Sequence, residues 1–130
     1  MTAVTAAVRR KTILVVEDDE AVRTLLTRAL GLHYAVTAAC DGLDAMEQLK
    51  SGRAPDLIIT DVMMPKMNGY ALSRLLKADR RWSHVPIVFL TARASAKDVA
   101  VGVHDSGRHY ISKPFGVRDV LDKVGRILNA

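Results

Sequence analysis

The chain has one cysteine, Cys40, so no intrachain disulfide can brace it, and a reduced compartment such as the cytoplasm fits. It has no apolar run near the ~20 residues that cross a bilayer, which argues against membrane insertion. The opening MTAVTAAVRRK holds small and basic residues but no apolar signal core, and reads as a flexible basic N-terminal tail over residues 1–10. Repeats, low-complexity stretches and linkers are missing too. So is a clustered basic patch on a nucleic-acid-binding motif. The net charge is +5, but Arg9, Arg10 and Lys11 carry three of those charges, and the remaining 16 basic residues face 14 acidic ones. No direct nucleic-acid partner is expected. His33, His84, His104 and His109 lack metal-ligand spacing and read as surface or boundary residues.

What is present is ordinary in bulk. At 130 residues, 49% hydrophobic and 25% charged, the chain is long enough for one compact domain with a real core. TILVV (12–16) is a β-branched run of strand length. In EDDEAVRTLLTRALG, Val22, Leu25, Leu26, Ala29 and Leu30 fall at helical spacing, with Asp19 or Glu20 near the start and Gly31 as a stop. YAVTAA (34–39) is a second strand. CDGLDAMEQLKSG is a helix with Met46 and Leu49 inward, ended by Gly52. PDLIITD (55–61) is a third strand, and 68–79 a helix with Leu72, Leu75 and Leu76 on one face and Asn68 as N-cap. VPIVFLTA (85–92) and HYISK (109–113) are the fourth and fifth strands. Between them, 95–107 is a weak helix carrying Gly102 and a poor apolar stripe. Residues 117–129 form an amphipathic fifth helix on Val117, Val120, Leu121, Val124, Ile127 and Leu128. Strand alternates with helix five times. The expectation is an α/β fold: a five-stranded parallel sheet with helices on both faces, doubly wound and flavodoxin-like, with no room for a second domain.

The strand ends carry the chemistry. The first strand runs into Glu17, Asp18 and Asp19, the third ends in Asp61, the fourth in Thr91, and the fifth in Lys113 followed by Pro114. In such sheets, sites form beyond the carboxyl ends of strands. A strand-end Asp is ordinarily a cap or turn residue, and a lone Thr or Lys-Pro is ordinarily structural. Their joint occurrence on one edge points instead to a site. Clustered carboxylates repel. A hard cation such as Mg²⁺, taking one or two carboxylates and keeping waters for phosphate oxygens, relieves that repulsion. Lys113 can pair with Asp61 or with a phosphoryl oxygen, and Asp61 can act as a nucleophile to give an aspartyl phosphate. The methionines Met64 and Met67 read as packing residues, because a soft-metal site would want His or Cys nearby. Trp82 reads as the seal of the loop before the fourth strand, and Cys40 as a buried or boundary residue that nothing activates.

ILVVEDDE (13–20), PDLIITDVMMPKMNGY (55–70), IVFLTA (87–92) and YISKPF (110–115), at these separations, resemble the receiver domain of two-component response regulators, over residues 11–130. The single-domain length resembles the chemotaxis-type regulators. The resemblance implies that Asp61 is the phosphoacceptor. Glu17 and Asp18 would hold Mg²⁺ with Asp61, Glu17 through water, and the Met63 backbone carbonyl would complete the metal site. Lys113 would bind phosphate, with a cis bond to Pro114. Thr91 would be the switch hydroxyl and Tyr110 the aromatic that changes rotamer with it. It further implies a sensor histidine kinase or phosphotransfer protein as donor. A downstream partner would dock on the face made by the fourth helix, the fifth strand and the fifth helix, where Arg93, Lys97, Arg108 and Arg118 favour acidic surfaces. Ser106, followed by Gly107, departs from the family pattern, which has Gly at that first position.

Competing readings are weaker. An aspartyl phosphatase needs an acid two residues after the nucleophile, where this chain has Met63. A flavin carrier needs a hydroxyl- or Gly-rich loop after the first strand, where it has EDDE. A receiver domain cut from a larger DNA-binding or enzymatic regulator stays open. Beyond self-catalysed phosphotransfer and slow autodephosphorylation, no enzyme activity is expected.

Overall fold

The computed structural model describes residues 10–92 and 109–129. In chain order its elements are β1 Thr12–Val16, α1 Glu20–Gly31, β2 Ala35–Ala39, α2 Gly42–Ser51, β3 Leu57–Asp61, α3 Gly69–Lys77, β4 Ile87–Thr91, β5 His109–Ser112 and α4 Val117–Leu128. The expected helix over 95–107 lies outside the described residues, as do Arg93, Lys97, Ser106, Gly107 and Arg108.

All neighbouring strands are parallel, in the order β2-β1-β3-β4-β5. Alternation along each strand sorts the side chains onto two faces. Leu14, Val16, Ile58, Phe89 and Tyr110 meet Ala45 and Leu49 of α2, Leu72 and Leu76 of α3, and Trp82. Ile13, Val15, Leu57, Ile59, Val88, Leu90 and Ile111 meet Leu26 and Leu30 of α1 and Val120, Val124 and Leu128 of α4. Every residue of β3 and β4 is buried. Truncating such a leucine to alanine typically costs about 2–5 kcal/mol.

The helix starts follow from short polar side chains. Asp19 accepts from the N–H groups of Ala21 and Val22, Asp41 from Asp44, and Asn68 from Ala71, each worth about 1 kcal/mol. At α4, Gly116 is the N-cap, and Asp119 reaches back to accept its N–H at 3.0 Å. Two basic residues serve the far ends. Arg10 donates to the Gly31 carbonyl at 3.0 Å and Lys11 to the Leu128 carbonyl at 2.9 Å, satisfying C-terminal carbonyls of α1 and α4.

Three details differ from the sequence expectation. Leu25 and Leu75 share their helices' apolar spacing, yet are 46% and 48% exposed. Each helix buries a narrow stripe against the sheet, here Leu26 with Leu30 and Leu72 with Leu76, and leaves the shoulder positions in water. Cys40 is exposed rather than buried, because it follows an edge strand. Its thiol is pushed up by desolvation and by hydrogen bonding to Asp44, which favours the neutral thiol over the thiolate. Trp82 is buried as expected, with the Arg81 guanidinium 4.1 Å over its ring. No helix among the described residues is long and apolar enough to cross a membrane.

Candidate functional site

The chain moves from β1 outward to β2, then crosses back so that β3 lies on the other side of β1. This reversal opens a crevice at the carboxyl ends of β1 and β3. Glu17 and Asp18 follow β1, and Asp61 closes β3. One carboxylate oxygen from each lies within 4.8 Å of the others. Asp19, also considered as part of the acidic cluster, is committed to capping α1.

Glu17 is completely buried. Its Oε1 accepts from Lys113 Nζ at 3.0 Å, and its Oε2 accepts the Asp19 N–H at 3.1 Å. Burial nevertheless raises its pKa from 4.5 to about 7, against the pull of Lys113. Lys113 bridges, because its Nζ also donates to Asp61 Oδ2 at 3.2 Å. The ammonium is held charged above the usual lysine range by the two carboxylates, against a desolvation penalty. The other Asp61 oxygen, Oδ1, accepts the Met63 N–H at 3.3 Å. Met63 itself is 70% exposed. The Lys113–Pro114 bond is cis.

Two neighbours shape this edge. Arg23 of α1 donates to the Glu17 carbonyl at 2.9 Å, bracing the loop that carries the acids. Gly69 donates its N–H to the Val62 carbonyl at 2.9 Å. A Cβ on Gly69 would sit 2.4 Å from the Asp61 carbonyl oxygen, so only glycine lets α3 start against the main chain of Asp61. Between them, Lys66 adopts φ 71°, and the Met67 N–H reaches the Pro65 carbonyl at 2.8 Å, a tight three-residue turn. Met64 and Met67 pack against the core, as their type suggested.

Thr91 is buried at the end of β4 opposite Ser112, and its carbonyl accepts the Lys113 N–H at 2.9 Å. Tyr110 is 8% exposed, with its ring 5.4 Å from Phe89 and its hydroxyl 3.3 Å from that of Tyr70. Sequence reasoning missed the Glu17–Lys113 pair, Arg23 and Tyr70. The first joins residues 96 positions apart, and nothing in local spacing announces it.

Three carboxylates and one ammonium leave the cluster at −2 when all are ionised. Its ligand atoms are all oxygens. That donor set and deficit fit a hard divalent cation. The crevice can therefore hold a cation and a nucleophilic carboxylate with an ammonium against it.

Residues 13–125 match the sequence profile described as the response regulator receiver domain. The response regulator MprA of Mycobacterium ulcerans is 38% identical over 117 residues, which is 89% of this chain and 49% of that protein. MprA of Mycobacterium tuberculosis H37Rv is also 38% identical, with 50% of its length covered. The chain thus spans about half the length of these curated relatives. Among solved structures, the chemotaxis response regulator CheY4 of Vibrio cholerae superposes with a TM-score of 0.82 at 28% identity, covering 92% of this chain and 99% of that one. The receiver domain of a signal transduction histidine kinase from Syntrophus aciditrophicus gives 0.79 at 33%, covering 92% and 90%.

Proposed function

Because the chain belongs to the response regulator receiver family, we propose that Asp61 accepts a phosphoryl group and that the domain thereby changes its affinity for a partner. The family is one of signalling switches rather than conventional enzymes, works with histidine kinases and downstream targets, and binds Mg²⁺ in an acidic pocket. The observation that carries the assignment to Asp61 is the Lys113 ammonium, 3.0 Å from Glu17 and 3.2 Å from Asp61.

Asp61 attacks phosphorus as the bond to the donor's leaving atom breaks. Lys113 can turn from Asp61 Oδ2 to an incoming phosphoryl oxygen while Glu17 still holds it, so the cation stays at the reacting centre throughout. The Met63 N–H keeps Asp61 Oδ1 oriented. Glu17, Asp18, Asp61 and the Met63 carbonyl would hold Mg²⁺, which when bound neutralises charge on the transferring group. Thr91, at the end of the adjacent strand, would donate its hydroxyl to a phosphoryl oxygen, and Tyr110 would follow it. Slow loss of the phosphoryl group to water completes the cycle.

The donor would be a sensor histidine kinase or a phosphotransfer protein. The output surface would be the face of β5 and α4 with segment 95–107, and would meet a protein rather than nucleic acid. Residues 11–130 would form the receiver unit after a basic tail. A cytoplasmic setting fits the single unpaired thiol. The greater length of the relatives supports a second reading, in which the output acts on a segment of the same polypeptide.

The test is intact mass after incubation with acetyl phosphate and Mg²⁺. One phosphoryl adduct is expected, absent in Asp61→Asn and absent with chelator. Equal labelling of Asp61→Asn would reject the assignment.

A further inference from the structure

We propose that Tyr70 is a positioning residue: its hydroxyl ties the first turn of α3, and with it the main chain of Asp61, to the Tyr110 side chain. The inference rests on Asp61 being the acceptor and adds a route from it to Tyr110 that does not run through Thr91.

The route is built from contacts. Gly69 is bonded to the Val62 carbonyl at 2.9 Å and lies too close to the Asp61 carbonyl for any side chain. The start of α3 therefore cannot shift independently of the Asp61 main chain. One residue on, the Tyr70 ring packs on Phe89 at 5.0 Å, and its hydroxyl donates to the Tyr110 hydroxyl at 3.3 Å. Phe89 and Tyr110 are ladder partners on β4 and β5. Phe89 also stands two residues before Thr91, hence on the same sheet face. Tyr110 is thus held in its buried position by one ring it stacks near and one hydroxyl it accepts from.

A single neutral hydrogen bond of this kind biases the choice between buried and outward ring by roughly threefold to tenfold. A phosphoryl group that favours the buried ring binds more tightly to a protein already biased toward it, by up to the same factor, the full factor being reached when the buried ring is otherwise the minor state. Tyr70 therefore pre-organises the switch.

The experiment measures affinity for beryllofluoride with Mg²⁺ by calorimetry on the whole chain. Fluorine NMR of 3-fluorotyrosine-labelled protein reports Tyr110 in parallel. Tyr70→Phe keeps the packing on Phe89 and removes only the hydroxyl. It should weaken beryllofluoride binding measurably, by up to roughly tenfold, and shift the Tyr110 resonance before any beryllofluoride is added. In a Tyr110→Phe background the same substitution should change affinity by less than about 1.5-fold, because the shared bond is already gone. Unchanged affinity and resonance in Tyr70→Phe would overturn the inference while leaving Asp61 as acceptor. So would a full effect in the Tyr110→Phe background, which would assign Tyr70 to packing alone. A wild type that binds no beryllofluoride would overturn the acceptor reading and the coupling with it.

Discussion

Glu17 should make the metal-free domain less stable as pH rises, the reverse of the usual behaviour of a carboxylate. Its folded pKa is about 7 against 4.5 unfolded, chiefly because burial penalises the charged form. Below pH 4.5 both states are protonated and its contribution is fully present. Between pH 4.5 and 7 the folded protein holds a proton that the unfolded chain releases, so stability falls as pH rises through the folded value. At about 1.36 kcal/mol per unit the ceiling is about 3 kcal/mol. Relaxation around Lys113 and entry of water bring the expected loss to on the order of 1–3 kcal/mol. His109 works the other way in part of this window. Burial and the nearby Lys123 lower its pKa from 6.5, so it adds stability as pH climbs. Asp44 and Asp79 are held below the ordinary carboxylate range, Asp44 first by the Cys40 N–H and Asp79 first by Arg81. They lose stability only below that window. The clean observable is therefore the difference between wild type and Glu17→Gln, by urea unfolding at pH 5 and pH 8 in chelator. At a slope of about 1–3 kcal/mol per molar, the wild type should lose on the order of 1 M more in midpoint than the variant over that range. Parallel pH profiles, or a variant that loses more, would refute the reasoning.

Asp18→Asn should leave metal-free stability within about 0.5 kcal/mol or raise it, while weakening the stabilisation by Mg²⁺ in a melting series; marked metal-free destabilisation would make Asp18 a structural hydrogen-bonding residue. Gly69→Ala should cost about 1–3 kcal/mol in urea unfolding and slow labelling of Asp61, because the new Cβ meets main chain at 2.4 Å rather than a side chain that can turn aside. Phosphorylation or beryllofluoride should change amide exchange in residues 95–118, and Thr91→Ala should abolish most of that change while still accepting the phosphoryl group; changes confined to the loops around Glu17 and Asp61 would count against the output face.

β1, β3 and β4 were legible because each is a short apolar run rich in β-branched residues and almost wholly buried, while β2 and β5 were read from their place between helices. The gathering of Glu17, Asp18, Asp61 and Lys113 was legible because they stand at successive strand ends, which a parallel sheet must bring to one edge. Asn68 as a cap also reads directly from its place before an apolar stripe. What stayed hidden depends on third-dimensional detail. The apolar spacing that marks a helix includes Leu25 and Leu75, and only the way each helix packs on the sheet decides that they face water. The family resemblance put water between Glu17 and the metal. The geometry adds that Glu17 is fully buried and anchors Lys113 from across the chain. Tyr70 reads as an ordinary first-turn residue until Tyr110 is placed opposite it.

The Glu17–Lys113 pair has a physical reason of its own. A buried ion pair is a poor source of stability, because desolvation offsets most of the attraction, and Glu17 retains a raised pKa even with Lys113 against it. An apolar residue at position 17 would fill that space at lower cost, yet it would leave Lys113 with one partner and no fixed orientation. With Glu17 on one side, the ammonium would keep a partner whichever oxygen it faced on the other, so in the proposed transfer to a phosphoryl oxygen it would not be left unpaired. The strain of holding Glu17 is carried by the surrounding sheet, whose β3 and β4 are buried along their whole length. The crevice can thus remain electrostatically unsatisfied, at up to −2 when its acids are ionised, before a cation or substrate arrives, because the fold's stability is located elsewhere. A site balanced in that way responds to a change in charge at Asp61 instead of absorbing it. That responsiveness is what a switch requires.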